Sequence, residues 1–348
     1  MIDMNHVPFI MVIALLISLS VMPSIYCSEN SSGYTTDIFW GFPDFFIPEN
    51  ITLCDDAFHG IPLHPETWYA EAFFNNSYSI VFIITIFSTY RGGMALTGFY
   101  LYRNGSLERE ERTWTLYPNY EYARDRPMVS IQGETLLEGW QDENGQIIYR
   151  INFENNKYGI HLTLRNETQG WQGKMGRGWW LAIPELEVKG ILTLGNKHLS
   201  VTGNGYHDHN IFDLRSPLEE QGYSDGKFQC HNLSLVWGKI LHKPWDTDAL
   251  AIVSNTGSFM SIPQETLTIR ETAHIYDHGY NIPTEISIII RKGEKINVSL
   301  IMAADNFHHI RLPFLHYWRY HVHVSGMIIL EGKEHTIDTQ GIMEFMRY

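Results

Sequence analysis

From residue 65 onward the chain is a succession of short apolar or alternating runs separated by turn signals, and nothing else in it constrains the fold as strongly. Residues 79–90, 94–102, 147–153 and 160–164 are rich in Ile, Val, Thr, Phe and Tyr. Asn104-Gly105 and Asn155-Asn156 close two of these runs with residues that favour tight turns. Runs of this length, composition and spacing predict antiparallel strands, while the 3.6-residue period of an amphipathic helix is scarce. The run at 79–90 is apolar almost throughout but too short to span a bilayer as a helix, so it reads as a buried strand. Eighteen Phe, nineteen Tyr and ten Trp fit a β-rich protein whose interior is wide enough for a large apolar ligand. The predicted class is all-β.

The 348 residues suffice for two domains, each with its own core. Past Asn210 the alternation stops: residues 213–227 have many charged and small residues and include Pro217 and Gly222. A second β series starts at Phe228 and continues through 249–254, 267–270, 285–291, 296–302, 321–330 and 342–346. The expected domains are therefore 34–214 and 225–348, joined by a linker at 215–224. Residues 190–205 and 326–341 share one arrangement: a Gly, an apolar strand, a polar turn and a second strand.

Residues 7–22 form a nearly unbroken apolar run followed by Pro23 and Ser24. This predicts a signal peptide over residues 1–27, or an uncleaved N-terminal membrane anchor, since residues 1–6 hold Asp3 and no Lys or Arg. Either version makes the protein secreted or cell-surface, with membrane contact confined to that segment. Asn-x-Ser/Thr triplets at Asn30, Asn50, Asn75, Asn104, Asn166, Asn232 and Asn297 are glycosylation candidates in an exported chain. Of three cysteines, Cys27 lies at the cleavage point, which leaves Cys54 and Cys230 either as a disulfide or as two thiols. A formal charge of −14 provides no basic surface for nucleic acid.

The densest chemistry is at residues 203–210, Gly-Asn-Gly-Tyr-His-Asp-His-Asn. If this octet is extended, Tyr206, Asp208 and Asn210 share one face and His207 and His209 the other. Gly203 and Gly205 weaken a regular strand and suggest a bulge or a close approach of ligand or backbone. The bland alternative is that Asp208 and Asn210 satisfy strand-end amides and Tyr206 is an ordinary barrel residue. His207 and His209, two residues apart, suit zinc in principle, but no Cys joins them and the face split assigns them supporting or surface roles. No nucleophile elbow, phosphate loop or dinucleotide fingerprint occurs, and no cofactor is expected.

The octet and its surroundings resemble the carotenoid hydratases (hydroxyneurosporene synthases) and the secreted AttH-like proteins. Pro65-Glu66-Thr67-Trp68-Tyr69 is similar to the family's opening Glu-Trp-Trp-Tyr, and the stretch 180–190 with Pro184 to its Trp-x-x-Pro strand. Residues 203–210 are similar to Gly-x-Gly-Tyr-x-Asp-x-Asn, Trp237-Gly238-Lys239 to Trp-Gly-Arg, and Tyr317-Trp318 through Glu344 to the closing Tyr-Trp and Glu motif. Gly178-Trp179-Trp180-Leu181 departs from the pattern, because the family carries His-x-Trp there. The resemblance implies two lipocalin-like antiparallel β-barrels in tandem, with Tyr206 and Asp208 at the active centre.

Hydration of an alkene needs an acid strong enough to form a cation and a dry, aromatic-lined space to hold it. Asp208 is that acid if burial raises its pKa, with Tyr206 relaying the proton and Asn210 orienting the carboxyl. Trp68, Trp180 and Trp237 offer π faces, with Glu66 and Tyr69 beside them, although large aromatics also fill β-cores. The expected ligand is a long apolar molecule or lipid of isoprenoid or polyene type, and the reaction a cofactor-independent hydro-lyase or isomerase step. The alternatives are a non-catalytic lipid carrier of the cell envelope and a pair of barrels with filled interiors. The oligomeric state is not legible in the sequence.

Overall fold

The computed structural model describes residues 49–348 apart from 63, 90–91, 156, 176–177, 214–215, 244–246, 294 and 313–314. The expectations for residues 1–27, Cys27 and Asn30 lie outside the described residues. Within them, strands form one sheet of 13 and one of nine. The first curls into a nearly closed barrel and the second into a half-barrel. Every strand pairing is antiparallel.

Both sheets are built alike. In each, the last long strand folds back beside an early one, Lys197–Ile211 beside Glu66–Phe74 and Lys333–Arg347 beside Glu220–Cys230. Each of these last strands is the second arm of a long hairpin, Gly178–Leu194 with Lys197–Ile211 and Leu315–Leu330 with Lys333–Arg347. The similar stretches at 190–205 and 326–341 are the outer halves of those hairpins. Asn104 and Gly105 take φ of 49° and 75°, the left-handed pair that matches a two-residue turn to strand twist.

Alternation decides what each strand buries. Trp68, Ala70, Ala72 and Phe74 point into the first barrel with Ile84, Phe99, Leu162 and Val188. Phe228, Trp237, Met302, Trp318, Met343 and Phe345 fill the second. A third apolar cluster joins the outer faces of the two sheets, with Tyr69, Tyr100, Tyr102, Trp180 and Tyr206 from one and Val236, Leu250, Ile252 and Ile310 from the other. The two units are therefore packed along a junction that is itself a core.

One expectation is corrected here. The linker expected at 215–224 is shorter, because a one-turn helix at Ser216–Glu219 leads directly into the strand Glu220–Cys230. That strand looked irregular because its outward residues Tyr223, Asp225 and Lys227 face the other sheet rather than water, so polar groups occupy buried positions. The octet pairs regularly on one side, Gly203 to Ile211 against Phe74 to Glu66, while on the other side the register shifts between Ile183 and Leu186, opposite His207 and Gly205. A Cβ at Gly203 would lie 1.8 Å from the Phe73 carbonyl oxygen, so Gly203 lets two backbones approach.

Candidate active site between the two sheets

The octet lies in the strand Lys197–Ile211 with neighbours on both sides. Cross-strand pairing sets Asp208 beside Tyr69 and Ala182, Tyr206 beside Glu71, and Asn210 beside Thr67 and Trp180. In a pleated sheet paired residues share a face, so these groups all look toward the second sheet. From the facing sheet, Asp225 pairs with Glu344, Glu344 with Arg319, and Tyr223 and Tyr317 with Met346. Tyr206, Asp208 and Asn210 do share one face, and it is the face at the junction.

Arg319 ties the sheets together. Its guanidinium reaches Glu71 at 2.9 Å and Glu344 at 2.8 Å and donates to the Tyr69 hydroxyl. Tyr69 donates in turn to Glu71 at 2.5 Å. Lys227 Nζ lies 3.6 Å from Glu71 and sits over the rings of Tyr206 and Tyr69, 3.9 and 4.4 Å from their centroids. Both cations are almost wholly buried, with Arg319 only 1 % exposed.

The junction thus holds four carboxyls, Glu71, Asp208, Asp225 and Glu344, against two cations, Lys227 and Arg319. Buried charge is costly unless it is balanced, so four acids against two cations set the surplus carboxyls against ionisation. Glu71 stays ionised: burial opposes it, but Lys227 and Arg319 hold it below its usual range. Asp208 goes the other way. Burial, reinforced by Glu344, outweighs the attraction of Lys227 and lifts its pKa to about 6. Burial, with Glu344 as the next contributor, raises Asp225 well above the carboxylate range. Glu344 makes the short ion pair to Arg319, and Asp208 and Asp225 are the two acids whose surroundings disfavour ionisation.

Asn210 Nδ2 donates to Asp208 Oδ1 at 2.6 Å, fixing one carboxyl oxygen. The Tyr206 phenol is buried and raised well above its usual value by burial and then by Asp208. Asn210, Tyr223, Asp225 and Tyr317 are only half-buried, although Asp208, Tyr206, Lys227 and Glu344 around them are buried. Trp180 presents an indole N–H that is buried without a hydrogen-bond partner, its ring edge-on to Trp171.

The remaining candidates fall elsewhere. Trp68 and Trp237 fill the two barrel interiors, Trp68 stacked on His209 and Trp237 donating to the Met302 sulfur. Glu66 points into the first barrel and only Tyr69 of that pair reaches the junction. His207 and His209, expected in supporting or surface positions, are 1 % and 0 % exposed. They sit around Asp56: His207 Nε2 and His209 Nδ1 each lie 3.0 Å from its carboxyl, and Tyr149 donates to it at 2.6 Å. Cys54 is disulfide-bonded, but not to Cys230, which is a free thiol beside His231. That corrects the proposed pairing. Among the sequons, Asn50, Asn75, Asn104 and Asn232 are exposed, whereas Asn166 and Asn297 are half-buried with their amides hydrogen-bonded.

Asp225, Lys227, Arg319, Glu71 and Tyr317 escaped the sequence reading as site residues. Polar groups at alternate positions of the strand Glu220–Cys230 are the available signal, and in the sequence alone they resemble a linker.

No protein-family model matches the sequence, and no curated protein matches it. Solved structures do. An AttH-type protein from Nitrosomonas europaea superimposes with a TM-score of 0.59 at 13 % identity, over 81 % of this chain and 92 % of the other. CghA solved with Sch210972 gives 0.56 at 11 % identity, over 82 % and 89 %. Kievitone hydratase from Nectria haematococca gives 0.55 at 10 % identity, over 93 % and 98 %. At such identities the likeness is one of fold, and the fold of this chain is the lipocalin-like, two-barrel fold of these proteins.

Proposed function

We propose that the junction is the active centre of an exported protein that takes up a long apolar molecule of isoprenoid or polyene type and acts on it as a hydro-lyase or isomerase. The observation that carries this reading is Asp208, a buried aspartic acid beside Asn210 whose pKa is lifted to about 6, within reach of neutrality. A proton donor works best when its pKa lies near the operating pH, and a carboxyl kept neutral by its surroundings is a recurrent solution. In the forward step the alkene π pair takes the Asp208 proton, a C–H bond forms and a cation develops on the adjacent carbon. Water adds there, and its surplus proton returns to the Asp208 carboxylate. Asn210 holds the carboxyl in place while the ring of Trp180 offers a π face to the cation. The half-buried Asn210, Tyr223, Asp225 and Tyr317 mark where a ligand reaches this group.

Export is part of the proposal. The apolar segment at 7–22 and the exposed sequons at Asn50, Asn75, Asn104 and Asn232 support it, and an endoglycosidase shift of the secreted protein tests it. For the chemistry, the apolar compound retained by the natively exported protein is identified by mass spectrometry and incubated with wild type and Asp208→Asn in ¹⁸O-water. The expected result is gain of one labelled water with wild type only, while the variant still retains the compound. Retention without conversion by either protein would leave a carrier, and a junction that retains nothing apolar would overturn the reading.

A further inference from the structure

A second constellation lies inside the first barrel, on the opposite face of the strand that carries Asp208. His59 Nδ1, one carboxylate oxygen of Glu66 and His209 Nε2 all lie within 4.8 Å of one another. The Glu66 Oε1 separations are 2.9 Å to His59 and 3.0 Å to His209. We propose that His59, Glu66 and His209 bind a divalent transition-metal cation of zinc type, independently of the junction site.

Three observations favour a cation over a purely structural ion-pair cluster. Two imidazoles and a carboxylate make a donor set that suits zinc and its neighbours rather than calcium or magnesium. His209 presents its other nitrogen to Asp56 Oδ1 at 3.0 Å, the carboxylate–histidine support that orients metal-binding imidazoles. Asp56 is itself held by Tyr149 at 2.6 Å and His207 at 3.0 Å. Both ring nitrogens of His209 and Asp56 Oδ1 are buried without a directed hydrogen bond, although their partners are 3.0 Å away. Among the described residues no Lys or Arg pairs with Asp56 or Glu66, so their counter-charge comes from the surrounding imidazoles or from a bound cation.

The ligands come from three places in the chain. His59 belongs to the segment preceding the first long strand, Glu66 opens that strand, and His209 lies in its partner Lys197–Ile211. A cation there would clip the segment over the end of the barrel. His59 is the accessible ligand, its side chain 17 % exposed against 1 % for Glu66 and 0 % for His209, and the rings of Trp68 and Trp179 pack against His209.

The test uses full-length protein stripped with a chelator and titrated with Co²⁺, then Zn²⁺. Expected are one equivalent of cobalt with the visible absorption of a four-coordinate site, quenching of tryptophan fluorescence, and displacement by zinc. His59→Ala, with folding verified by circular dichroism, should lose the cobalt spectrum. Asp56→Asn should bind about 10–100-fold more weakly. His309 and His316, whose rings meet at 3.0 Å in the second sheet, are the competing site, so His316→Ala should leave the spectrum unchanged. Folded wild type that shows no cobalt spectrum, a His59→Ala protein that keeps it, or a His316→Ala protein that loses it would each overturn the proposal.

Discussion

Replacing Asp208 by Asn should make the protein more stable at pH 8, and the size of the gain follows from the junction. Burial lifts the Asp208 acid from its usual 3.8 to about 6, which at about 1.4 kcal/mol per pH unit corresponds to about 3 kcal/mol. The sign follows from proton linkage. Between about pH 4 and 6 the folded protein holds a proton that the unfolded chain releases. This group's contribution therefore falls as pH rises through that window and is a constant penalty above it. An amide cannot ionise, and its oxygen still accepts the 2.6 Å hydrogen bond from Asn210. Urea unfolding of both proteins from pH 4 to 8 should show curves that nearly coincide at the acid end and separate by up to about 3 kcal/mol at pH 8. A variant less stable than wild type by the same amount at every pH would refute the reasoning, since Asp208 would then be a structural partner and not a strained acid.

Arg319→Met removes the cation shared by Glu71 and Glu344 and should cost about 3–5 kcal/mol at pH 7. The loss should shrink at pH 5, where an orphaned carboxyl protonates more readily; equal losses would assign the effect to packing. In the first barrel, burial opposes the charge on His209, yet the Asp56 and Glu66 carboxylates push it up to about 9. Its stabilisation is then complete below about pH 6.5 and lost as pH rises through about 9. Glu66, held down to about 2 by His209 and His59 against the effect of burial, contributes above about pH 4 and loses that contribution as pH falls through about 2. The decline from pH 6.5 to 9 should vanish in His209→Gln, and an unchanged slope would remove His209 from the account. Cys230 should label with a thiol reagent without reductant and Cys54 only after reduction; the reverse order would contradict the disulfide assignment.

The β class was legible because Ile, Val, Phe and Thr concentrate in short runs such as Tyr78–Thr89, bounded by turn residues. The face split of the octet was legible too, as it needs only the two-residue period of a strand. What lay on each face was not. A period says that His207 and His209 oppose Asp208, but not that both faces are buried, one in a barrel and one against a second sheet. A junction between two sheets reverses the usual sign of the pattern, so the strand containing Tyr223, Asp225 and Lys227 read as a solvated linker. Trp68 and Trp237 carry the same ambiguity: an aromatic residue next to a site in sequence points into the core when the site points out. The network around Asp56 depends on contacts spanning 151 residues, from Asp56 to His207, and no local pattern encodes them.

The most direct test of the central claim is a titration of the Asp208 carboxyl by NMR of protein carrying ¹³C-labelled aspartate, with Asp208→Asn to assign the resonance. The account predicts one carboxyl with a midpoint of about 6 that disappears in the variant. A midpoint at or below the usual aspartate value of about 3.9 would show a permanently ionised carboxylate and end the case for Asp208 as the acid.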